Sequence, residues 1–386
     1  MSARVPASWY RLIPNSCLRL VCGPLSTASA TAAQPRARGS VTIISGKGPA
    51  AAAPADRNRE GRQIFVDALT ELAEASRNPR LRSILKPLTA PLTVAVRGRA
   101  GVGCTTVGAA LTAAGVPVTD ASAADVDVAV IAEALKPEDT TLIGASQRPT
   151  VVVLNKADLA GFGAGAPLAT AHRRAADCRA LTGVPTVPMV GLLAVVTLED
   201  DMLAALSALV HEPADLTSTD AFVQCAHPVA VSVRRRLLDA LDRFGIVYAV
   251  QALADGAEPA ALPGVLRLHS LVDRVVAQID AACAPLRYQR LRTAVVELRA
   301  LAARSGDERL AAFLTGDDAV LGAMAAAVDV VEAAGVPVDR GDDAGAHLRR
   351  AVHWRRYGRG PVAALHRQCA ADITRGSLRL LERCGE

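Results

Sequence analysis

The chain has 386 residues, of which 51% are hydrophobic and 21% charged, so it can form two or three domains and is too apolar for disorder throughout. A net charge of +5 with 3% aromatic residues does not favour nucleic-acid binding. Only four of the 43 basic residues are lysine, and this arginine bias indicates a GC-rich, bacterial genome. The eight cysteines are dispersed without a C-x-x-C pair, which favours reduced thiols in the cytoplasm. No apolar run reaches the length of a membrane span.

The first segment, residues 1–57, is predicted to be a disordered tail. Residues 1–55 contain no acidic residue and are rich in Ala, Ser, Pro and Gly. The alternatives are an organellar transit peptide, or a true start downstream of Met1. Residues 58–90 follow as a helical lead-in, with apolar residues at helical spacing and a break at Asn78-Pro79.

Short apolar runs alternate with helical stretches from residue 91 to residue 212. Strands are predicted at 92–97, 116–119, 126–131, 150–154 and 186–190. Helices are predicted at 105–114, 137–147, 167–182 and 199–211. This alternation predicts a parallel sheet covered by helices on both faces.

A glycine-rich turn follows the first predicted strand. Residues 92–108 read LTVAVRGRAGVGCTTVG, which resembles the phosphate-binding Walker A pattern G-x-x-x-x-G-K-[ST]. Glycines let backbone N–H groups close around phosphate oxygens, and the next helix N-terminus adds partial positive charge. In the pattern the hydroxyl ligates Mg²⁺, and here it belongs to Thr105. The predicted nucleotide-binding residues of this loop are Gly98, Arg99, Gly101, Gly103, Cys104, Thr105 and Thr106.

Cys104 stands where the Walker A pattern has its lysine, so the charge that neutralises the β- and γ-phosphates during transfer is missing. The string GRAGVGCTT is similar to the GKGGVGKTT loop of ParA/MinD-like ATPases, and Arg99 falls at their extra lysine. Arg99 could replace part of the lost charge, although a guanidinium is not equivalent to an ammonium. A glycine turn without ligand is the alternative. Cys104 itself is either a small tolerated residue or a redox-sensitive thiol.

A second motif follows the fourth predicted strand. Residues 150–159 read TVVVLNKADL, and Asn155, Lys156 and Asp158 resemble the N-K-x-D motif by which P-loop GTPases recognise guanine. A carboxylate can accept hydrogen bonds from guanine N1–H and N2–H₂, a pair that adenine does not offer. The resemblance implies that the lysine stem packs on the base and that the asparagine ties this loop to the phosphate loop. An ordinary polar turn is the alternative.

The remaining GTPase motifs are weak or missing. The run 191–193 could offer N–H groups to the guanine carbonyl in place of the fifth motif. Asp120 lacks the following glycine of the third motif, D-x-x-G. Asp125 or Asp127 could substitute for it, although both more naturally begin the next strand. Because no switch residue is identified, no sensor of the γ-phosphate is predicted.

Six amphipathic helices are predicted beyond residue 213, at 230–244, 263–282, 285–304, 307–336, 344–357 and 360–383. Breaks are expected at prolines and glycines, Pro285 among them. One basic face of the C-terminal helices is predicted either to face solvent or to contact acidic lipid or a protein partner. Its residues are Arg349, Arg350, Trp354, Arg355, Arg356, Tyr357 and Arg359.

The region 58–212, and less clearly the helices after it, resembles the actinobacterial dynamin-like GTPases in its two motifs and its order of segments. The resemblance implies an α/β fold, with a P-loop NTPase-like parallel sheet at 91–212 and an α-helical bundle or stalk at 213–386. It also implies GTP or GDP as ligand, with Mg²⁺ held in part by Thr105.

The expected function is guanine-nucleotide binding with weak or absent GTP hydrolysis, and a regulatory or assembly role for the helical arm. One alternative is a pseudo-GTPase scaffold that binds no nucleotide. Another is an active GTPase that uses Arg99. The protein is expected in the cytoplasm, with an unknown protein partner and with peripheral contact at the inner membrane face left open.

Overall fold

The structure is a computed structural model that describes residues 54–76, 78–161 and 167–385. The predicted tail lies outside the described residues up to residue 53, and the first helix begins at Pro54, before the predicted start at 58. The lead-in forms two helices, and the predicted break at Asn78-Pro79 is confirmed.

The described chain is mostly helical, with one four-stranded sheet. The strands are β1 (Val94–Gly98), β2 (Val126–Ala132), β3 (Thr150–Asn155) and β4 (Thr186–Pro188). The helices up to the last strand are α1 (Pro54–Ser76), α2 (Pro79–Thr89), α3 (Cys104–Ala113), α4 (Pro137–Gly144) and α5 (Pro167–Thr182). Those after it are α6 (Asp200–His211), α7 (Thr219–Gln224), α8 (Val231–Ala254), α9 (Leu262–Ser270), α10 (Val272–Ser305), α11 (Glu308–Thr315), α12 (Asp317–Ala333), α13 (Ala344–Tyr357) and α14 (Ala364–Arg383).

Contacts group the described residues into two compact units, which divide within α10. The sheet unit holds residues 90–161 and 167–286, and the helical unit holds 54–76, 78–89 and 287–385. The predicted boundary at 212 falls inside the sheet unit. The lead-in helices pack with the C-terminal helices, because α1 lies against α12.

The sheet is parallel throughout, in the order β1-β2-β3-β4. Strand β2 is buried along its whole length, as expected for a strand covered on both faces. Val128 and Val130 lie on one face in a cluster with α3 and α10, while Ala129 and Ile131 lie on the other in a cluster with α5, α6, α8 and α9. The prediction of an α/β fold with a parallel sheet and a helical C-terminal region is therefore confirmed.

The predicted strand at 116–119 is wrong, because only Val118 makes a bridge, in parallel with Val94. The predicted break at Pro285 is also wrong, since α10 continues through this proline. Cys283 and Ala284 beside it are buried, and this packing outweighs the loss of one helical hydrogen bond. The predicted helix at 307–336 is two helices that meet at Gly316.

Close helix packing defines the helical unit. Gly322 and Gly376 leave room for neighbouring helices, since a Cβ at Gly322 would lie 2.6 Å from Cβ of Phe65 and one at Gly376 would lie 2.4 Å from Sδ of Met324. The ring of Phe65 also lies 5.4 Å from that of Phe313. Glycine is therefore required where α12 approaches α1 and α14.

The basic face on α13 contains fewer exposed residues than the sequence predicts. Trp354 and Arg350 are 1% and 4% exposed, and both belong to the interior. Arg350 donates to the carbonyl of Asp339 and to Ser377 Oγ. Leu348 and Val352 lie among the exposed residues of this helix instead. No single described helix could cross a membrane on length and apolarity, and only α11 and α12, bent by 44° at their junction, meet that test as a pair.

Candidate functional site

The carboxyl ends of β1 and β2 lie where the chain reverses its direction across the sheet. After β1 the chain passes through α3 to Val118, which pairs with Val94 on the side of β1 away from β2. It then crosses to β2 and continues outward through β3 and β4. Open parallel sheets form their ligand crevice at such a reversal. The glycine turn at 98–103 directly follows β1 at this edge.

The backbone of the glycine turn needs its glycines. Gly101 and Gly103 have φ values of 82° and 92°, in the left-handed region. A Cβ at Gly98 would lie 2.5 Å from the carbonyl oxygen of Val130 and 2.9 Å from Sγ of Cys104. No side chain caps α3, so the N–H groups of its first turn, with Thr105 exposed there, have no acceptor within the helix. The turn therefore has the donors of an anion site.

Asn155, at the end of β3, connects the glycine turn to a second turn. Its Nδ2 donates to the carbonyl of Val102 at 2.9 Å, and its Oδ1 accepts from the N–H of Gly191 at 3.0 Å. The side chain is 4% exposed. A Cβ at Gly103 would lie 2.4 Å from Nδ2 of Asn155, so the turn approaches as closely as glycine allows. The structure thus contains the connection that the N-K-x-D resemblance implies.

The second turn, Gly191–Ala194, has fewer free donors than the sequence suggested. The N–H of Gly191 is held by Asn155, and the N–H of Leu193 donates to the carbonyl of Val190 at 3.1 Å. Two of the three N–H groups proposed to read a guanine carbonyl are therefore already bonded within the protein.

Asp158 lies three residues beyond Asn155, in the short turn Ala157–Leu159, which the N–H of Ala157 fixes to the carbonyl of Met189. Burial raises the pKa of the Asp158 carboxyl, and the nearby carboxylate of Asp242 raises this pKa further. Lys156 is exposed and has a φ of 56°, so it begins the turn in the left-handed region. The loop presents the half-buried carboxylate of Asp158 next to the exposed ammonium of Lys156, which acts on that carboxylate electrostatically.

Asp242 is a residue that sequence reasoning missed. It has φ 50° and ψ 177° inside α8, which kinks there. Such a backbone conformation is strained for an aspartate, and strain of this kind is found most often at functional sites. The periodicity of 230–244 predicts an unbroken helix, so no sequence signal marks the kink.

Arg99 does not project freely into the crevice. Its Nε and Nη2 donate to the two carboxylate oxygens of Asp139 at 2.7 and 3.1 Å, and Asp139 is fully buried. Asp139 also accepts from the N–H of Lys136, which precedes α4. Glu133 and Glu138 act electrostatically on Arg99 as well. The run Lys136-Pro137-Glu138-Asp139 is a helix-start signal, but its sequence does not reveal the partner 40 residues upstream.

The third-motif candidates lie away from the glycine turn. Asp127, at the amino end of β2, is buried and pairs with Arg97 and Arg148 at 3.2 and 3.3 Å. Asp125 accepts from the N–H of Thr93, also at the amino ends of the strands. Ligand crevices form at the opposite edge, so neither carboxylate is placed for nucleotide chemistry.

Cys104 is half-buried against Gly98, and burial raises the pKa of its thiol. The neutral thiol therefore persists to higher pH than in an exposed cysteine, and the thiolate is the reactive form. We expect Cys104 to be alkylated by iodoacetamide at least about tenfold more slowly than the exposed Cys384 at pH 7.5, with a rate that still rises at pH 9. Peptide mass spectrometry of the same sample compares both thiols. Faster labelling of Cys104 would support the redox-sensitive alternative instead.

Comparison with protein-family models, with curated proteins and with solved structures found no match to the chain. In the described residues no group of three or more His, Cys, Asp or Glu side chains is arranged to hold a metal ion. The site thus rests on its own geometry: at the carboxyl edge of the parallel sheet, Asn155 holds the glycine turn and the turn at 191–194, and the turn that bears Asp158 follows directly after it.

Proposed function

We propose that the sheet unit binds a guanine nucleotide at this edge and hydrolyses GTP weakly or not at all. The observation that carries the proposal is the pair of hydrogen bonds made by Asn155, which hold the glycine turn and the turn at 191–194 against the end of β3, three residues before Asp158. Phosphates would meet the N-terminus of α3, and the base would meet Asp158. The helical unit would supply a regulatory or assembly role, toward a protein partner or an anionic membrane surface.

The chemistry of base selection rests on Asp158. Its carboxylate can accept from guanine N1–H and N2–H₂ together, and a site built for that pair rejects adenine strongly. Lys156 is exposed beside it, so its aliphatic stem is free to pack on the base. Only the ionised carboxylate accepts both hydrogen bonds, and the pKa of Asp158 is raised. As the pH is lowered, the affinity for guanine nucleotide should therefore begin to fall at a higher pH than it would with an ordinary aspartate, whose pKa is about 4.

The phosphate end of the crevice explains the expected weakness of hydrolysis. Cys104 supplies no charge, and the guanidinium of Arg99 is occupied by Asp139. Thr105 exposes a hydroxyl on the first turn of α3, which fits one oxygen ligand of a Mg²⁺ ion bound together with the nucleotide. Magnesium would supply positive charge that the side chains here lack.

Titration with fluorescent GDP and ADP tests the proposal. We expect GDP to bind in preference to ADP, and the substitution Asp158→Ala to weaken GDP binding by about a hundredfold through loss of two hydrogen bonds to the base. Asp177→Ala, an exposed aspartate on α5, is the matched control and should bind as the wild type does. No binding of either nucleotide at about 1 mM would contradict the proposal and leave the scaffold alternative.

A further inference from the structure

A single buried arginine holds the connection between α12 and α13, residues 334–343. Arg350 lies on α13 and is 4% exposed. Its Nη1 donates to the carbonyl oxygens of Asp339 and Gly341 at 2.9 and 3.1 Å. Its Nε donates to Oγ of Ser377 on α14 at 3.0 Å. The guanidinium therefore joins the connection to both helices.

His347, one turn earlier on α13, is a further partner of this guanidinium. Its side chain is buried, and its Nδ1 lies 2.6 Å from Nη2 of Arg350. Because an arginine only donates hydrogen bonds, Nδ1 of His347 is the acceptor and carries no hydrogen. The imidazole in this arrangement is therefore neutral, with its hydrogen on Nε2. A proton added to Nδ1 removes the acceptor and places two buried cations against each other, which is costly.

Nearby carboxylates do not cancel this conflict. Oδ1 of Asp342 lies 3.9 Å from Nε2 of His347, but the side chain of Asp342 is 99% exposed. An exposed charge pair contributes about 1 kcal/mol or less, because water screens it. Burial lowers the pKa of the Arg350 guanidinium, while the charges of Asp339 and Asp342 raise this pKa and that of Arg340 lowers it. An arginine stays protonated in proteins, so its positive charge faces the imidazole at every ordinary pH.

The other charged groups around the connection are engaged elsewhere. Two ion pairs flank it at 2.5 and 3.8 Å, namely Arg340 with Glu332 of α12, and Arg349 with Asp339. Asp343 caps α13 by accepting from a backbone N–H of its first turn. Within the described part of the chain, the hydroxyl of Ser377 makes the only hydrogen bond from α14 to His347 or Arg350. Of all these side chains, the imidazole is the one that ordinarily changes its charge between pH 5 and 8.

We propose that His347 and Arg350 form a pH-sensitive switch, in which protonation of the imidazole detaches the guanidinium and releases residues 339–341. In the open state the imidazole meets water, where a histidine has a pKa of about 6.5. The closed state excludes the proton at Nδ1, so one proton is bound on opening, and the closed state loses stability as the pH falls below about 6.5. From pH 7.5 to pH 5.5 the ratio of open to closed molecules rises about tenfold. The proposal concerns the helical unit alone and does not depend on nucleotide binding.

Hydrogen exchange of the full chain at pH 7.5 and pH 5.5 tests the switch, with rates corrected for the intrinsic effect of pH on amide exchange. Peptides that cover 334–350 are expected to lose about tenfold in protection at the lower pH. Peptides of β2 serve as the internal reference and should keep their protection. Equal protection of 334–350 at both pH values in the wild type would overturn the proposal.

Three variants assign the effect to this pair. His347→Asn keeps an acceptor at the δ position that does not titrate, so the turn should stay closed at both pH values. His353→Asn replaces an exposed histidine on the same helix and should keep the tenfold step. Arg350→Gln removes the guanidinium, so the turn should be open at both pH values. An acid step that persists in His347→Asn or Arg350→Gln, or that disappears in His353→Asn, would overturn the assignment.

Discussion

Replacement of Asn155 with alanine is expected to lower the free energy of local unfolding at the carboxyl edge of the sheet by about 3 kcal/mol and to abolish nucleotide binding. The side chain is buried, and its loss leaves the carbonyl of Val102 and the N–H of Gly191 without their partner. Each unsatisfied buried backbone group costs about 1–3 kcal/mol. Without these two hydrogen bonds, neither the glycine turn nor the turn at 191–194 is held to the end of β3.

Hydrogen exchange measured by mass spectrometry is suited to this chain, because two compact units need not unfold in one step. Peptides that cover β1 to α3 should exchange about a hundredfold faster in Asn155→Ala, because a loss of about 3 kcal/mol in the free energy of local unfolding raises the open population by about that factor. Peptides of α14 serve as an internal reference. Gln147→Ala, an exposed residue shortly before β3, is the control. Unchanged exchange at residues 98–107 would show that Asn155 does not support the turn.

Asn155→Asp separates the two hydrogen bonds. Aspartate keeps an oxygen that can accept from Gly191, but it cannot donate to Val102 when ionised. In this variant we expect hydrogen exchange to accelerate more in peptides that cover the glycine turn than in peptides that cover the turn at 191–194. An equal opening of both turns would mean that the two bonds act as one unit.

The sequence predicts β1, β2 and β3 to within about two residues, because each is an apolar run between turn residues, and buried parallel strands show that pattern. The run at 116–119 has the same composition but no second neighbour, so it makes only one bridge. The sequence pattern predicted a break at Pro285 and could not show that α10 continues through it, because the continuation depends on tertiary packing. Local pattern therefore identifies the elements of the sheet, while the pairing of its edge depends on tertiary contacts.

The residues of the candidate site also divide into those that a local sequence pattern predicts and those that depend on tertiary contacts. Asn155, Lys156 and Asp158 follow one another in sequence, so a motif could identify them. The partner of Arg99 could not be found in this way, because Asp139 lies on another helix and its local signal is that of a helix cap. Asp242 carries no signal at all. Candidate residues that lie together in one loop could be predicted from the sequence, whereas Asp139 and Asp242, which act on Arg99 and Asp158 from other elements, could not.

The pair formed by Arg99 and Asp139 leads to the second large effect. Arg99→Met removes both donors of a fully buried carboxylate and leaves it with the N–H of Lys136 as its remaining described hydrogen bond. A buried charge without its partner is costly, so we expect opening of the glycine turn and of α4 to increase about a hundredfold in hydrogen exchange. Arg148→Met is a matched control, because Asp127 keeps Arg97 when Arg148 is lost.

A double-mutant cycle shows whether the arginine serves structure or phosphate. If Arg99 mainly neutralises Asp139, then Asp139→Asn should cost less than Arg99→Met, and the double variant should lose little beyond the single one. The same four proteins are then compared by their affinity for GTP and for GDP. Asp139→Asn frees the guanidinium, so the affinity for GTP should rise relative to that for GDP, and Arg99→Met should remove this gain. A ratio of GTP affinity to GDP affinity that stays constant across all four proteins would show that Arg99 does not reach the γ-phosphate, because a group that contacts the γ-phosphate must distinguish the two nucleotides.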